Sequence, residues 1–252
     1  MDMGLKDKFQ SLWERYFNNA ELPVTFYYTE EMGHAELVER KSMPRCVIGA
    51  LSNVRKGRSL CFNVDSVGCP GGKRYLGFSK SLMSNFEYFL SCGIPGEMEG
   101  ERYKKTPEIV KESMKHWPEF EAPAPLIVFK RWDMLEEADS PEVVIFFAEP
   151  DVLSGLFTLF NFDETKQDRV IAPFGAGCNT IVQYPYLESI SEHPRAVIGM
   201  FDISARPFVP GNSLTFTVPL KKIITMTENM EESFLTTKSW RAVQKRIDQS
   251  PC

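Results

Sequence analysis

The chain has 252 residues, enough for one large domain or two small ones with a sizeable buried core. Its 43% hydrophobic and 25% charged residues are an ordinary globular balance, and a net charge of -5 argues against nonspecific nucleic-acid binding, which needs Lys and Arg to neutralise phosphates. No run approaches the about 18 apolar residues of a membrane-spanning helix, and the opening MDMGLKDKFQSLWERYF is charged where a signal peptide has an apolar core. The chain therefore reads as cytoplasmic, with its six cysteines reduced.

Leu5, Phe9, Leu12, Trp13 and Tyr16 recur at three-and-four spacing and predict an amphipathic first helix. PVTFYY (23–28) reads as a strand. Residues 42–57 read as a helix, with Ser42 as cap, Pro44 near the first turn and Gly57 as its stop. SLCFNV (59–64) is a short strand entering a glycine turn, and KRYLGF (73–78) reads as its return. Residues 79–93 predict a helix ending at Gly93, and 106–117 another, capped by Thr106 with Pro107 at its first position.

Strands follow at 126–131 and between Pro141 and Pro150. DVLSGLFTLFNF reads as a helix capped by Asp151, and RVIAPFGAGCNTIVQY as strand, turn, strand. RAVIGMFDIS and SLTFTVPL are two further strands. A last helix over about 228–247 places Phe234, Trp240, Val243 and Ile247 on one face. Loosely alternating elements, with strand pairs that read as antiparallel, predict a single α+β domain over 1–252. Its sheet should be mixed, largely antiparallel, with flanking helices.

Two segments share a layout of strand, capped helix, strand and Gly-Cys. Both Ser42 to Cys69 and Asp151 to Cys178 span 27 residues. This spacing points to a duplication of two halves, about 20–100 and 125–220, whose equivalent loops would bring Cys69 and Cys178 together across a cleft.

The cysteines then carry the chemistry. Cys46 falls in the first turn of a predicted helix, where a thiolate is favoured, although a packed small residue fits equally well. Cys69 stands before Pro-Gly-Gly, where the backbone can approach a ligand, and Cys178 sits in a similar loop. Cys61 reads as core, Cys92 as structural, and Cys252 as a terminal residue without a role. No C-x-x-C pair is present, and His34, His116 and His193 read as surface residues.

Gly68, Gly71, Gly72 and Lys73 do not make a P-loop, since Arg74 stands where Ser or Thr would follow Lys73. A Gly-Gly turn can still form an anion nest, with Lys73 or Arg74 adding charge. Asp202 and Arg206 follow a buried strand. Arg206 could grip an anion, or the two could form an ion pair that pins their loop.

Taken together, PVTFYY, CVIGAL, GCPGG with LGF, PEVVIFFAEP, GAGC and AVIGMFDISARP with LTFTVP resemble the domain-of-unknown-function family 169, the uncharacterised ArCR type, over about residues 20–220. The resemblance implies that Cys46, Cys69 and Cys178 belong to a family signature, in a family common in anaerobic bacteria and archaea. It implies no settled activity. Some relatives carry a further cysteine near the Asp202 segment, where this chain has none, so three thiols remain.

The leading expectation is a metal cofactor, an iron–sulfur cluster above others, held by Cys46, Cys69 and Cys178, with Asp202, Arg206 and Lys73 orienting a small anionic ligand. The alternative is a metal-free small-molecule binding or sensor module. A thiol enzyme ranks last because no histidine partner is evident. A homo-oligomer is compatible with the sequence.

Overall fold

The structure, a computed structural model, describes residues 1–39 and 46–249. The expected cap at Ser42 and the turn at Pro44 lie outside the described residues, as does Cys252.

Helix α1 (Met3–Phe17) starts where Asp2 accepts hydrogen bonds from the Gly4 and Leu5 N–H groups, and it buries Phe9, Leu12, Trp13, Tyr16 and Phe17. Then follow β1 (Val24–Thr29), β2 (Glu36–Leu37), α2 (Val47–Arg55), β3 (Leu60–Phe62), α3 (Pro70–Tyr75), α4 (Phe86–Phe89) and α5 (Pro107–Met114). The second half of the chain contributes β4 (Leu126–Arg131), β5 (Val143–Ala148), α6 (Pro150–Phe160), β6 (Val170–Ile171), a π-helical turn (Asn179–Gln183) and α7 (Tyr184–Ser189). Last come β7 (Ala196–Gly199), a 3₁₀ turn (Arg206–Phe208), β8 (Leu214–Pro219), α8 (Leu220–Asn229) and α9 (Lys238–Ile247).

The eight strands form one mixed sheet in the order β2-β3-β4-β1-β5-β8-β7-β6. The fold is α+β, as the sequence predicts. Alternation along the central strands divides the core in two. Val143, Ile145 and Phe147 of β5 join α2 and α7 on one face, while Val144, Phe146 and Ala148 meet α1, α6, α8 and α9 on the other. Both faces are covered, which is why β5 is buried along its whole length. No described helix is long and apolar enough to cross a membrane.

The strand order reads alike from both sides of the central β1–β5 pair. Outward from it run β1-β4-β3-β2 and β5-β8-β7-β6. On each side the two inner pairs are antiparallel and the outermost pair is parallel. By this order Cys46, after β2, corresponds to Cys178, after β6. Cys69, after β3, corresponds to Asp202, after β7. The expected equivalence of Cys69 with Cys178 rested on matching α2 to α6, and those helices pack on opposite faces of the sheet.

Several local expectations are corrected. KRYLGF is not a return strand: Pro70 opens α3, with Cys69 as its N-cap. Residues 79–93 hold only the short helix α4. After β6 the chain makes the π-helical turn and α7 rather than a second strand. Helix α6 is capped at Glu149 with Pro150 in its first turn, and Asp151 instead meets Arg246 at 3.0 Å. Of the helix predicted over about 228–247 only Lys238–Ile247 forms, as α9; α8 already ends at Asn229, and a 3₁₀ turn at Phe234–Thr236 lies between them.

Candidate functional site

Three connections meet over the face of the sheet that carries α2 and α7. Cys46 caps α2, Cys69 caps α3, and Cys178 leads into the π-helical turn. Helix α2 packs against the 3₁₀ turn that follows Asp202, and α3 packs against the π-helical turn that follows Cys178. These contacts bring Cys46, Cys69, Cys178 and Asp202 to one cavity of about 300 Å³.

The cavity wall is mostly apolar and aromatic. Tyr75, Phe86, Phe89, Trp117 and Tyr184 line it, with Ile48, Leu82 and Leu90 between them. Three of its lining residues are strongly exposed: Phe174 at 65%, Phe201 at 53% and Ile203 at 68%. Large apolar side chains grouped in this way at one opening mark a surface that meets something other than water. Polar groups are few. The buried Asn179 amide donates to Gln183 Oε1, and Gln183 donates to the Pro118 carbonyl at 3.0 Å.

Asp202 ties two of the loops. One carboxylate oxygen accepts from the Gly177 N–H at 2.9 Å, the other from the Ser204 N–H at 3.0 Å and its hydroxyl at 2.8 Å. The chain reaches Asp202 through Met200, wholly buried and in the left-handed region at φ 68°. A non-glycine residue held there costs energy that the surrounding packing must cover, and such strain gathers at functional sites.

The thiols sense one another and the carboxylate. Burial pushes Cys178 well above the ordinary thiol value, and Cys46, Cys69 and Asp202 add to the rise. Cys46 is raised for the same first reason, burial. The Gly49 and Ile48 N–H groups oppose that shift, and Cys69 and Asp202 reinforce it. The Cys69 sulfur accepts from the Gly72 N–H at 3.5 Å. At neutral pH Cys46 and Cys178 are therefore protonated thiols, unless a bound cation reverses the balance.

The remaining predicted site residues divide. Gly71 and Gly72 line the cavity. Gly72 is needed for packing, because a Cβ there would lie 2.9 Å from Val67 Cγ1. Gly68 and Lys73 do not line it. One helical turn puts residues 71, 74 and 75 on the cavity side of α3 and turns 73 away, so Arg74 takes the place expected of Lys73. Arg206 is not an anion grip and does not pair with Asp202 through its side chain. Its guanidinium donates to the Ser213, Pro210 and Gly211 carbonyls and fastens that loop. Cys61 is core, as expected, and burial lifts it to about 11. Cys92 is exposed and lies outside the cavity, as do His34, His116 and His193.

As for metal, among the described residues no three His, Cys, Asp or Glu side chains close around a single point as one ion requires. The donor set, three thiols and a carboxylate on one cavity floor, is soft enough for a thiophilic group.

Fold and site together define an α+β protein whose single sheet carries an aromatic, cysteine-floored cavity on one face. The chain belongs to the domain-of-unknown-function family 169, described as Uncharacterised ArCR, whose model matches residues 15–229. No curated protein and no solved structure matches it.

Proposed function

We propose that this protein binds a small, largely apolar molecule in the cavity floored by Cys46, Cys69, Cys178 and Asp202. The observation that carries the reading is that separate connections deliver these four residues to one aromatic-walled cavity with an exposed apolar mouth. Concave, mainly apolar sites with a few convergent polar groups are where small ligands bind. Five free cysteines among the described residues support a reducing, cytoplasmic setting. The strand order supports reading the chain as two fused copies of one four-strand unit, β1–β4 and β5–β8, with the site where their loops meet.

The test is a melting-temperature screen of small amphipathic compounds against the wild type and Gly71→Leu. A Cβ at Gly71 makes only ordinary contacts, 3.7 Å to Tyr75 and 3.8 Å to Cys69 Sγ, so a leucine there fills the cavity rather than breaking the fold. Compounds that raise the wild-type melting temperature should leave the variant unmoved. Equal shifts in both proteins would place binding elsewhere.

A second reading is favoured by the gathering of the three thiols: the floor seats an iron–sulfur cluster, with Cys46, Cys69 and Cys178 as its ligands. Such a cluster would supply a positive centre that draws the thiols to thiolates and leaves one position for a ligand. Iron and sulfide content of protein purified without oxygen decides it. Near-stoichiometric iron and sulfide that disappear in Cys69→Ser support the cluster; metal-free protein refutes it.

A further inference from the structure

The aromatic cavity has one cationic residue. Among the described residues Arg74 is the only Lys or Arg that lines it. Its Nη1 is committed, donating to the Lys80 carbonyl at 2.5 Å. Its Nε is buried and has no hydrogen-bond partner. Nη2, beside it, meets no acceptor among the described residues. Nε and Nη2 form the edge of a guanidinium that takes a carboxylate with two parallel hydrogen bonds. Here only the Nη2 half of that edge is open, because Nε is covered by the protein's own atoms, while the other end of the same group is anchored. An anchored guanidinium loses little freedom when it binds, and a hydrogen bond from a charged donor is stronger than one between neutral groups.

Resting on the cavity reading above, we infer that the ligand is a monocarboxylic acid with an apolar body, and that Arg74 recognises its carboxylate. The body lies against the aromatic wall formed by Phe86, Phe89 and Trp117. A dianionic phosphate does not fit this site. Among the lining residues it would meet a single cation, the Lys104 ammonium being spent over the Phe174 ring at 4.3 Å, and Glu101 and Asp202 also line the cavity and repel added negative charge. The glycine turn beside Arg74 is no phosphate cradle either, since the Gly72 N–H is already directed at the Cys69 sulfur.

The experiment uses two matched probes, 3-phenylpropanoate and 3-phenylpropan-1-ol, which differ in the head group alone. Their affinities are measured by calorimetry on the full chain, as wild type, Arg74→Gln and Arg74→Lys. The expected result is a ten- to hundredfold preference of the wild type for the acid, about the worth of hydrogen bonds to a charged group. That preference falls to near one in Arg74→Gln and to an intermediate value in Arg74→Lys, which keeps the charge and loses the anchored guanidinium. If Arg74→Gln does not fold, the drop in Arg74→Lys carries the test. Equal binding of acid and alcohol by the wild type, or a preference that survives in both variants, overturns the role of Arg74 and leaves the cavity reading standing. Binding of neither probe to the wild type overturns both.

Discussion

Replacing Asp202 with alanine isolates the contact on which the geometry of the site depends. The carboxylate accepts three hydrogen bonds, of unequal weight. Ser204 is exposed, so its N–H and hydroxyl turn to water and cost little. Gly177 is buried, and its N–H has Asp202 Oδ2 at 2.9 Å as acceptor. A buried donor left without an acceptor costs about 1–3 kcal/mol. Loss of negative charge gives no return at pH 7, because Cys46 and Cys178 are raised above the ordinary thiol value and are neutral there. The net expectation is about 2 kcal/mol, which for a chain of this size lowers the melting temperature by about 4–8 °C. Scanning calorimetry at pH 7 measures it, with Ser204→Ala as the control for a surface change. A loss in Asp202→Ala no larger than in Ser204→Ala would refute the argument that this carboxylate pins the Gly177–Cys178 loop.

Other expectations follow from the same geometry. Gly71→Ala should stabilise by about 0.5–1 kcal/mol, the helix preference for alanine over glycine. Gly72→Ala, one residue on, should destabilise, because its Cβ would press to 2.9 Å against buried Val67; paired urea melts separate the two. Cys46 should alkylate slowly at pH 8 and faster in Asp202→Asn, which removes a charge that raises the thiol; iodoacetamide labelling read by mass spectrometry follows both. On the far side of the sheet, buried Lys130 meets Asp139 and Glu136, each at 2.8 Å. Lys130→Met strands buried Asp139 and should cost about 3–5 kcal/mol in a urea melt. Glu136 is held down at about 2 by hydrogen bonds from Lys130 and His34. A carboxylate depressed in the folded state adds stability above its ordinary value of 4.5 and loses it as pH falls towards 2, so acid melts should weaken across that window, less so in the variant.

Much of the sheet was legible because its strands carry their own chemistry. VTFYYT, LIVFKR, VVIFFA and LTFTVP are runs of β-branched and aromatic residues bounded by turns, and all four became strands. Thr106 and Pro107 marked a helix start in the same way. The site was less legible. Asn179–Gln183 is buried at every position, so no amphipathic period separates its π-helical turn from a strand, and Ile181 and Val182 tip the reading towards strand. In α3 the glycines masked a helix that Cys69 as cap and Pro70 in the first turn impose. Reading those two residues as a helix start would have exchanged Lys73 for Arg74. Cys46, Cys69 and Cys178, singled out together from the sequence, all line the cavity. That Asp202 follows β7 as Cys69 follows β3 required the strand order, which no local pattern encodes.

The most direct measurement is cysteine labelling of the native protein, with and without the compound that raises its melting temperature most. Cys46 and Cys69 are half-buried residues lining the cavity, while Cys92 is exposed and outside it. Iodoacetamide rates at each residue are read from peptide masses. The account predicts that bound compound slows Cys46 and Cys69 together and leaves Cys92 unchanged. Protection of neither cavity thiol, or equal slowing of all three cysteines, would contradict a single ligand cavity floored by these thiols.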